Sequence, residues 1–324
     1  MKVWKHALCL LMGASSLGYV ASTWSAAYPD KPVRVIVPFA PGGGTDVVGR
    51  LIGQKLGDAW GVSIVVDNRP GAGSTVGTGM LARATPDGYT LGATSMSLAI
   101  NATLYRSLPY DLNDLAAIIL TARAPNVLVV NPSVPAHTVK ELIAHAKANP
   151  GKLNFSSSGT GGVSHLSAEV FRAVAGIDMV HVPYRGAGPA MTALISGEAQ
   201  VMMATTPVAL PQMKAKRLRA IAISSRQRSP LAPDLPTIAE SGFPGFETDT
   251  WYGLLAPAGT PAAIIQRINA DTARILETPE LKTALGHQGA QPAGGTPEEF
   301  RRFIESEIEK WGKAIRAAKV PPAN

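Results

Sequence analysis

Ile36-Val37-Pro38-Phe39-Ala40-Pro41-Gly42-Gly43-Gly44-Thr45-Asp46 joins an apolar strand to a helix through three consecutive glycines. The helix that follows carries Val47, Val48, Leu51, Ile52 and Leu56 at helical spacing, a stripe suited to packing on a sheet. A helix that opens in this way exposes backbone N–H groups with no intrahelical partner, and glycine lets a ligand come close to the main chain. A junction of the same kind recurs about 115 residues later, in Leu153-Asn154-Phe155-Ser156-Ser157-Ser158-Gly159-Thr160-Gly161-Gly162. Two amide-rich loops in two halves of one chain point to a cleft that grips an anion from both sides.

Strand-like runs alternate with helical periodicity along the rest of the chain, the pattern of an α/β protein with mostly parallel sheets. Strands are expected over 33–39, 62–67, 89–95, 126–131, 179–183, 198–204 and 218–224, with a helix over 187–196. Thr138 with Glu141, and Thr296-Pro297-Glu298-Glu299, are capping boxes that open helices, and Thr260-Pro261 opens another. The last helix aligns Phe300, Phe303, Ile304, Ile308, Trp311 and Ile315, so it should dock on the body. No long linker divides the chain. The expected crossing points fall near 122–126 and in the Pro/Gly-rich stretch 229–245. That gives one lobe from 28–124 plus 245–324 and a second from 125–244, with a hinge of crossing strands that allows closure on a ligand.

The first residues read as an export signal. Lys2, Lys5 and His6 form a basic start, 7–20 is apolar, and Ser25-Ala26-Ala27 supplies small residues for cleavage near Ala27. An uncleaved anchor is the alternative, but the apolar run falls short of the roughly 20 residues that a membrane span needs. The single cysteine, Cys9, lies inside this segment, so the exported chain has no disulfide, thiolate metal site or cysteine nucleophile. The net charge of +7 favours anionic partners in general. It does not point to nucleic acid, because the basic residues are scattered and Lys214-Ala215-Lys216-Arg217-Leu218-Arg219 is their only cluster.

Nucleotide binding is the first rival for glycine loops. Neither loop ends in the Gly-Lys-Ser/Thr of a phosphate loop, and Val47 and Val76 stand where a dinucleotide fingerprint needs its third glycine. Asp67, at the end of the second strand, keeps that reading open. For hydrolysis, no Gly-x-Ser-x-Gly elbow exists, and Ser164 and His165 are neighbours on a helix whose side chains diverge. His137 and His145 are too far apart to share one helical face, and no His-Glu-x-x-His is present, so neither metal nor cofactor is expected.

What remains is binding without catalysis. Neither loop holds Lys or Arg, so an anion there would rest on N–H groups, hydroxyls and two helix dipoles. Four or five charge-assisted hydrogen bonds of about 1.5–3 kcal/mol each would account for micromolar affinity after ordering costs. Arg69 and Arg185 follow strands and could add longer-range attraction. Asp46 either caps its own helix or recognises a donor on the ligand. Phe39, Tyr184, Trp251 and Tyr252 are either cleft walls or ordinary core.

The two glycine loops recur in order with Asn68-Arg69-Pro70-Gly71-Ala72-Gly73, Pro86-Asp87-Gly88-Tyr89-Thr90-Leu91, Val182-Pro183-Tyr184-Arg185-Gly186 and Trp251-Tyr252-Gly253-Leu254-Leu255-Ala256-Pro257. Together these segments closely resemble the substrate-binding proteins of the tripartite tricarboxylate transporter system, the Bug family, over essentially the whole exported chain. The resemblance implies a two-lobed periplasmic-binding-protein fold of type II, non-enzymatic, closing on a small organic carboxylate. It also implies a monomer whose partner is a membrane permease of a tripartite transporter or a sensor. It places ligand contacts on Pro41, Gly42, Gly43, Thr45 and Asp46 of the first loop and on Ser157, Gly159, Thr160, Gly161, Ser164 and His165 of the second. Strand-end contacts from Phe39, Ser95, Tyr184 and Thr205 would complete the site. Arg185 stands where lysine is expected, and Ser74 where a glycine would follow Gly73. An exported hydrolase or dehydrogenase-like enzyme using the loops as an anion or cofactor site is the alternative.

Overall fold

The computed structural model describes residues 28–229 and 232–323; the expected export signal at 1–27 lies outside them. In chain order the elements are β1 (Val33–Val37), α1 (Gly44–Trp60), β2 (Ile64–Asn68), α2 (Thr75–Ala82), β3 (Thr90–Ser95), α3 (Ser97–Leu104) and β4 (Leu115–Ala124). There follow β5 (Asn126–Val130), α4 (Val139–Ala148), β6 (Asn154–Ser157), α5 (Val163–Ala175), β7 (Val180–Pro183), α6 (Ala187–Ser196), β8 (Val201–Thr205), α7 (Thr206–Lys214) and β9 (Arg219–Ile223). The chain closes with β10 (Thr250–Pro257), α8 (Ala262–Leu276), α9 (Pro279–His287), β11 (Gln291–Gly294) and α10 (Pro297–Ala317).

These strands form two mixed sheets, ordered β11-β4-β10-β3-β1-β2 and β7-β6-β8-β5-β9. β1 pairs in parallel with β2 and β3, and β6 with β7 and β8, as strand–helix–strand crossovers require. β10 runs antiparallel between β3 and β4, and β5 antiparallel between β8 and β9. These two reversed strands follow directly from the chain's passage between sheets. β4 ends one sheet at Ala124 and, after Pro125, β5 begins the other, while β10 returns to the first sheet after β9. Both β5 and β10 are buried along their whole length, so they read as unbroken apolar runs without the alternation that betrays a half-exposed strand.

A hydrogen-bond network ties the two crossings together. Asn126 N–H donates to Ser224 Oγ at 2.9 Å, and that hydroxyl donates to Asp249 Oδ1 at 3.0 Å. Asn126 Nδ2 reaches Ser167 Oγ at 3.2 Å and also the Thr248 carbonyl. Burial raises the Asp249 carboxyl to about 6, the Ser224 hydroxyl opposing the shift.

Several sequence signals act as local chemistry dictates. Thr296 accepts from Glu299 N–H at 3.1 Å while Glu299 accepts from Thr296 N–H at 2.8 Å, so α10 opens on a complete capping box. β8 begins at Val201 rather than at 198, because Gly197, at φ 84°, caps α6 and Ala199 N–H still donates back to the Ala193 carbonyl of that helix at 3.1 Å. α10 buries Phe300, Ile304, Trp311 and Ile315 against the first sheet and α3. Phe300 lies edge-on to Trp251 at 5.7 Å and covers Gly253 of β10, where any Cβ would collide with its ring.

Phe300→Ala should therefore cost about 3–5 kcal/mol, since the lone α-carbon of Gly253 cannot fill the space. Urea unfolding should show a lowered midpoint with an unchanged m-value.

Candidate functional site

The first glycine junction is built for open donors. α1 starts at Gly44 with Gly43 as an N-cap that offers no side-chain acceptor, so the N–H groups of Gly44, Thr45 and Asp46 have no protein partner. Asp46 works inside the loop: its Oδ2 accepts from Gly42 N–H at 2.9 Å, and its Oδ1 accepts from Arg50 Nε at 3.0 Å and Asn68 Nδ2 at 2.8 Å. Burial would raise this carboxyl, but these three donors hold it below its usual range. The loop is thus locked by an ionised, fully engaged carboxylate. Asp46 is a brace, and its oxygens are turned to the protein.

The second junction is organised differently. Ser158 N–H donates to Ser164 Oγ at 2.7 Å, Gly159 N–H to Ser157 Oγ at 3.2 Å, Gly162 N–H to the Gly159 carbonyl at 2.9 Å, and Gly161 N–H to His165 Nδ1 at 3.3 Å. Most of this loop's amides are spent on its own shape, leaving Thr160 and the first turn of α5, Val163 and Ser164, as open donors. Behind it, His165 stacks on His181 at 4.0 Å and His181 on Phe155 at 4.9 Å. His181 Nε2 lies 2.6 Å from Ser157 Oγ. Desolvation drives the His165 pKa down to about 3, with His181 and Arg172 adding to the shift, and drives His181 to about 4. Both rings are neutral at pH 7, and the Gly161 donor fixes His165 Nδ1 as an acceptor.

α6 supplies a third junction, Tyr184-Arg185-Gly186, again capped by a glycine without a side-chain acceptor. The starts of α1, α5 and α6 meet at a small chamber of about 30 Å³ at the carboxyl ends of both sheets. Its wall includes Gly43, Gly44 and Thr45 from α1, Ser158, Val163 and Ser164 from the α5 junction, and Ala187 from α6. Ser95, Thr205, Thr250 and Tyr252 point hydroxyls toward it, joined by Phe39 and Met202. All four hydroxyls are buried; those of Thr205 and Thr250 lie against the Tyr252 phenol and interact with it, while Ser95 Oγ has no partner among the described residues. No charged side chain lines this chamber. A second chamber of about 430 Å³ adjoins it, sharing Phe39 and Ser158, and is bounded by 71–74, Tyr105, 158–160, 183–185 and Ala323.

The halves touch along two seams that flank these chambers. In one, Tyr105 OH donates to the Thr160 carbonyl at 3.1 Å, and a Cβ on Gly73 would collide with that same oxygen. In the other, a Cβ on Gly186 would come within 2.8 Å of Ala40 Cβ, and one on Gly188 within 3.0 Å of the Pro41 carbonyl. Absent side chains at these glycines are what let the two halves approach so closely.

Of the residues named from sequence, Gly43, Thr45, Ser95, Ser164 and Thr205 come together in the inner chamber, Phe39 borders both, and Gly159, Thr160 and Tyr184 line the outer one. Pro41, Gly42, Asp46, Ser157, Gly161 and His165 line neither; they shape the loops from behind. Trp251 is core, hydrogen-bonded to Glu307 at 3.1 Å, whereas Tyr252 faces the chamber. Ala187, Met202 and Thr250 also line the inner chamber, and the sequence reading names none of them as lining. The glycine before α6 repeats the strand–turn–helix grammar of the first two junctions and could have pointed to Ala187. Met202 sits in a strand with no distinguishing mark. Among the described residues no cluster of His, Cys, Asp or Glu could hold a metal ion, and no helix is long and apolar enough to cross a membrane.

Two α/β halves joined by crossing strands, with a shared chamber at the carboxyl ends of both sheets, define a two-lobed binding protein of the periplasmic type. The tripartite tricarboxylate transporter family receptor model matches residues 48–320, and the chain belongs to that family. It is 37% identical to protein BugT of Bordetella pertussis over 305 residues, covering 93% of this chain and 94% of that one. Rpa4515 of R. palustris, solved with adipate, superposes with a TM-score of 0.89 at 35% identity, covering 91% of this chain and all of its own. MatC of Rhodopseudomonas palustris, solved with bound malate, gives 0.85 at 31% identity, covering 89% and 99%.

Two predictions follow from the loops and seams. Both histidines have folded pKa values below the unfolded value of about 6.5, so the unfolded chain binds more protons as pH falls and their stabilisation is lost from about pH 6.5 down to about 4 for His181 and about 3 for His165. Asp249, raised to about 6, acts in the opposite sense over part of that window, but two imidazoles outweigh one carboxyl. Melting temperature should fall on acidification from pH 6.5 to 4.5, more steeply in Asp249→Asn and less steeply in His181→Gln. Gly73→Ala should hold the seam apart, giving a larger radius of gyration by X-ray scattering that added ligand no longer reduces.

Proposed function

We propose that this protein is a periplasmic receptor that takes a small organic carboxylate between its two lobes and hands it to the membrane subunits of a tripartite transporter, or to a sensor. The lobes are 28–124 plus 245–324 and 125–244, with the paired crossings as hinge. The observation that carries this reading is the inner chamber. Open N–H groups of α1 and α5 and the buried hydroxyls of Ser95, Thr205 and Tyr252 surround a space without one charged side chain. Donors in excess, desolvated and aimed at one point, are complementary to a carboxylate. The adipate and malate held by two relatives agree with this chemistry. A receptor that leaves its ligand unchanged also fits the one serine–histidine pair at the loop: Ser157 is fully buried behind the second junction, where a substrate does not reach it.

Thr205→Val and Tyr252→Phe test the assignment. Each removes a buried hydroxyl whose contacts lie only within the Thr205–Tyr252–Thr250 group, so the melting temperature should change little. Carboxylate affinity measured by calorimetry should fall about tenfold for each, the worth of one hydrogen bond to a charged group. Loss of stability with unchanged affinity would refute the site.

A further inference from the structure

The inner chamber is too small for a whole organic acid. About 30 Å³ holds a carboxylate head or a water or two, and no more. The ligand's remainder must pass Phe39 and Ser158, the two residues common to both chambers, into the outer space of about 430 Å³. That space has a distinct chemistry. Phe39, Tyr105, Pro183 and Tyr184 give it apolar walls, and Arg185 is its single charged side chain.

Arg185 is exposed and makes no hydrogen bond or ion pair with any described residue, although its position is fixed between β7 and the Gly186 seam. The nearby Tyr184 phenol is committed to Glu198 at 2.7 Å, and Glu198 is not part of the chamber wall. A guanidinium at the rim of an otherwise uncharged chamber is a fork for a second carboxylate. Resting on the carboxylate reading of the inner chamber, we infer that the outer chamber is a second anion subsite in which Arg185 reads a remote acidic group. The ligand is then an extended diacid, with an apolar spacer crossing Phe39, rather than a compact four-carbon acid. The head is held by uncharged donors, which accept any carboxylate. Discrimination among acids falls to spacer length and to Arg185.

Calorimetry with straight-chain α,ω-diacids of four to ten carbons, each paired with the monoacid of equal length, tests this. Affinity should peak above four carbons, and the diacid at the peak should bind at least tenfold more tightly than its monoacid. R185Q should bring the diacid down to the level of the monoacid, and R185K should recover part of the loss, since it keeps the charge but not the fork. As an exposed change, R185Q should leave the melting temperature in place. An optimum at four carbons, equal binding of monoacids and diacids, or an equal loss of both in R185Q overturns the outer subsite while leaving the inner one standing. Failure of every acid to bind overturns both.

Discussion

A helix start without a capping side chain is an unfinished hydrogen-bonding arrangement, and this molecule brings three of them to one place. The N–H groups of Gly44, Thr45 and Asp46, with those of Val163 and Ser164, cannot be satisfied within their own helices. Elsewhere the chain supplies the missing acceptor: Thr138, Thr278 and Thr296 cap α4, α9 and α10 through their hydroxyls. Glycine at positions 43, 162 and 186 withholds it where the two sheets meet. The sheets dictate that coincidence, because parallel strands deliver their following helices to the same edge, and two such edges face across the crossing strands.

The polar residues closest to those helix starts divide into two kinds. Asp46 and the His165–His181 pair hold the loops and expend their hydrogen-bonding capacity in doing so. Ser95, Thr205, Thr250 and Tyr252 brace no loop; Tyr252 touches only Thr205 and Thr250 within the chamber wall, and Ser95 Oγ is unpartnered among the described residues. A carboxylate brace under one loop and a neutral aromatic stack under the other are not equivalent. Asp46 stays ionised through the acid range that ordinary carboxylates tolerate, whereas the imidazole stack needs burial to stay uncharged. The second loop is therefore the more acid-sensitive half of the site.

The sequence carried the parts of the fold whose physics is local. Gly42-Gly43-Gly44 and Gly159-Thr160-Gly161-Gly162 announced strand–turn–helix junctions, and Thr296 with Glu299 announced a helix start that the structure contains. β10, which brings the chain back to the first sheet, gave no periodic signal because it is buried on both faces. Within the candidate site, Ser95 and Thr205 came from the family resemblance alone, and both line the inner chamber. The direction of Asp46 and His165 was not readable, because it depends on Asn68, Arg50 and Gly161, partners found only once the loops are folded. Tyr252 and Trp251 are adjacent on β10, and the pleat alone sends one to the chamber and the other to the core, a choice set by the register against β3 and β4.

Closure and binding are linked by the same reserve of unused donors. A buried hydroxyl without a partner, as at Ser95, costs on the order of 1–3 kcal/mol relative to its state in water. Parting the seams at Gly73 and Gly186 would return water to the chamber wall. An anion placed among the hydroxyls and helix starts removes that penalty in the closed form alone. A ligand shifts an equilibrium only by the difference in its interaction with the two states, and here the difference is concentrated in groups that the protein itself leaves unsatisfied. The glycines at the seams make the shift possible without a steric toll, since backbone meets backbone where side chains would hold the halves apart.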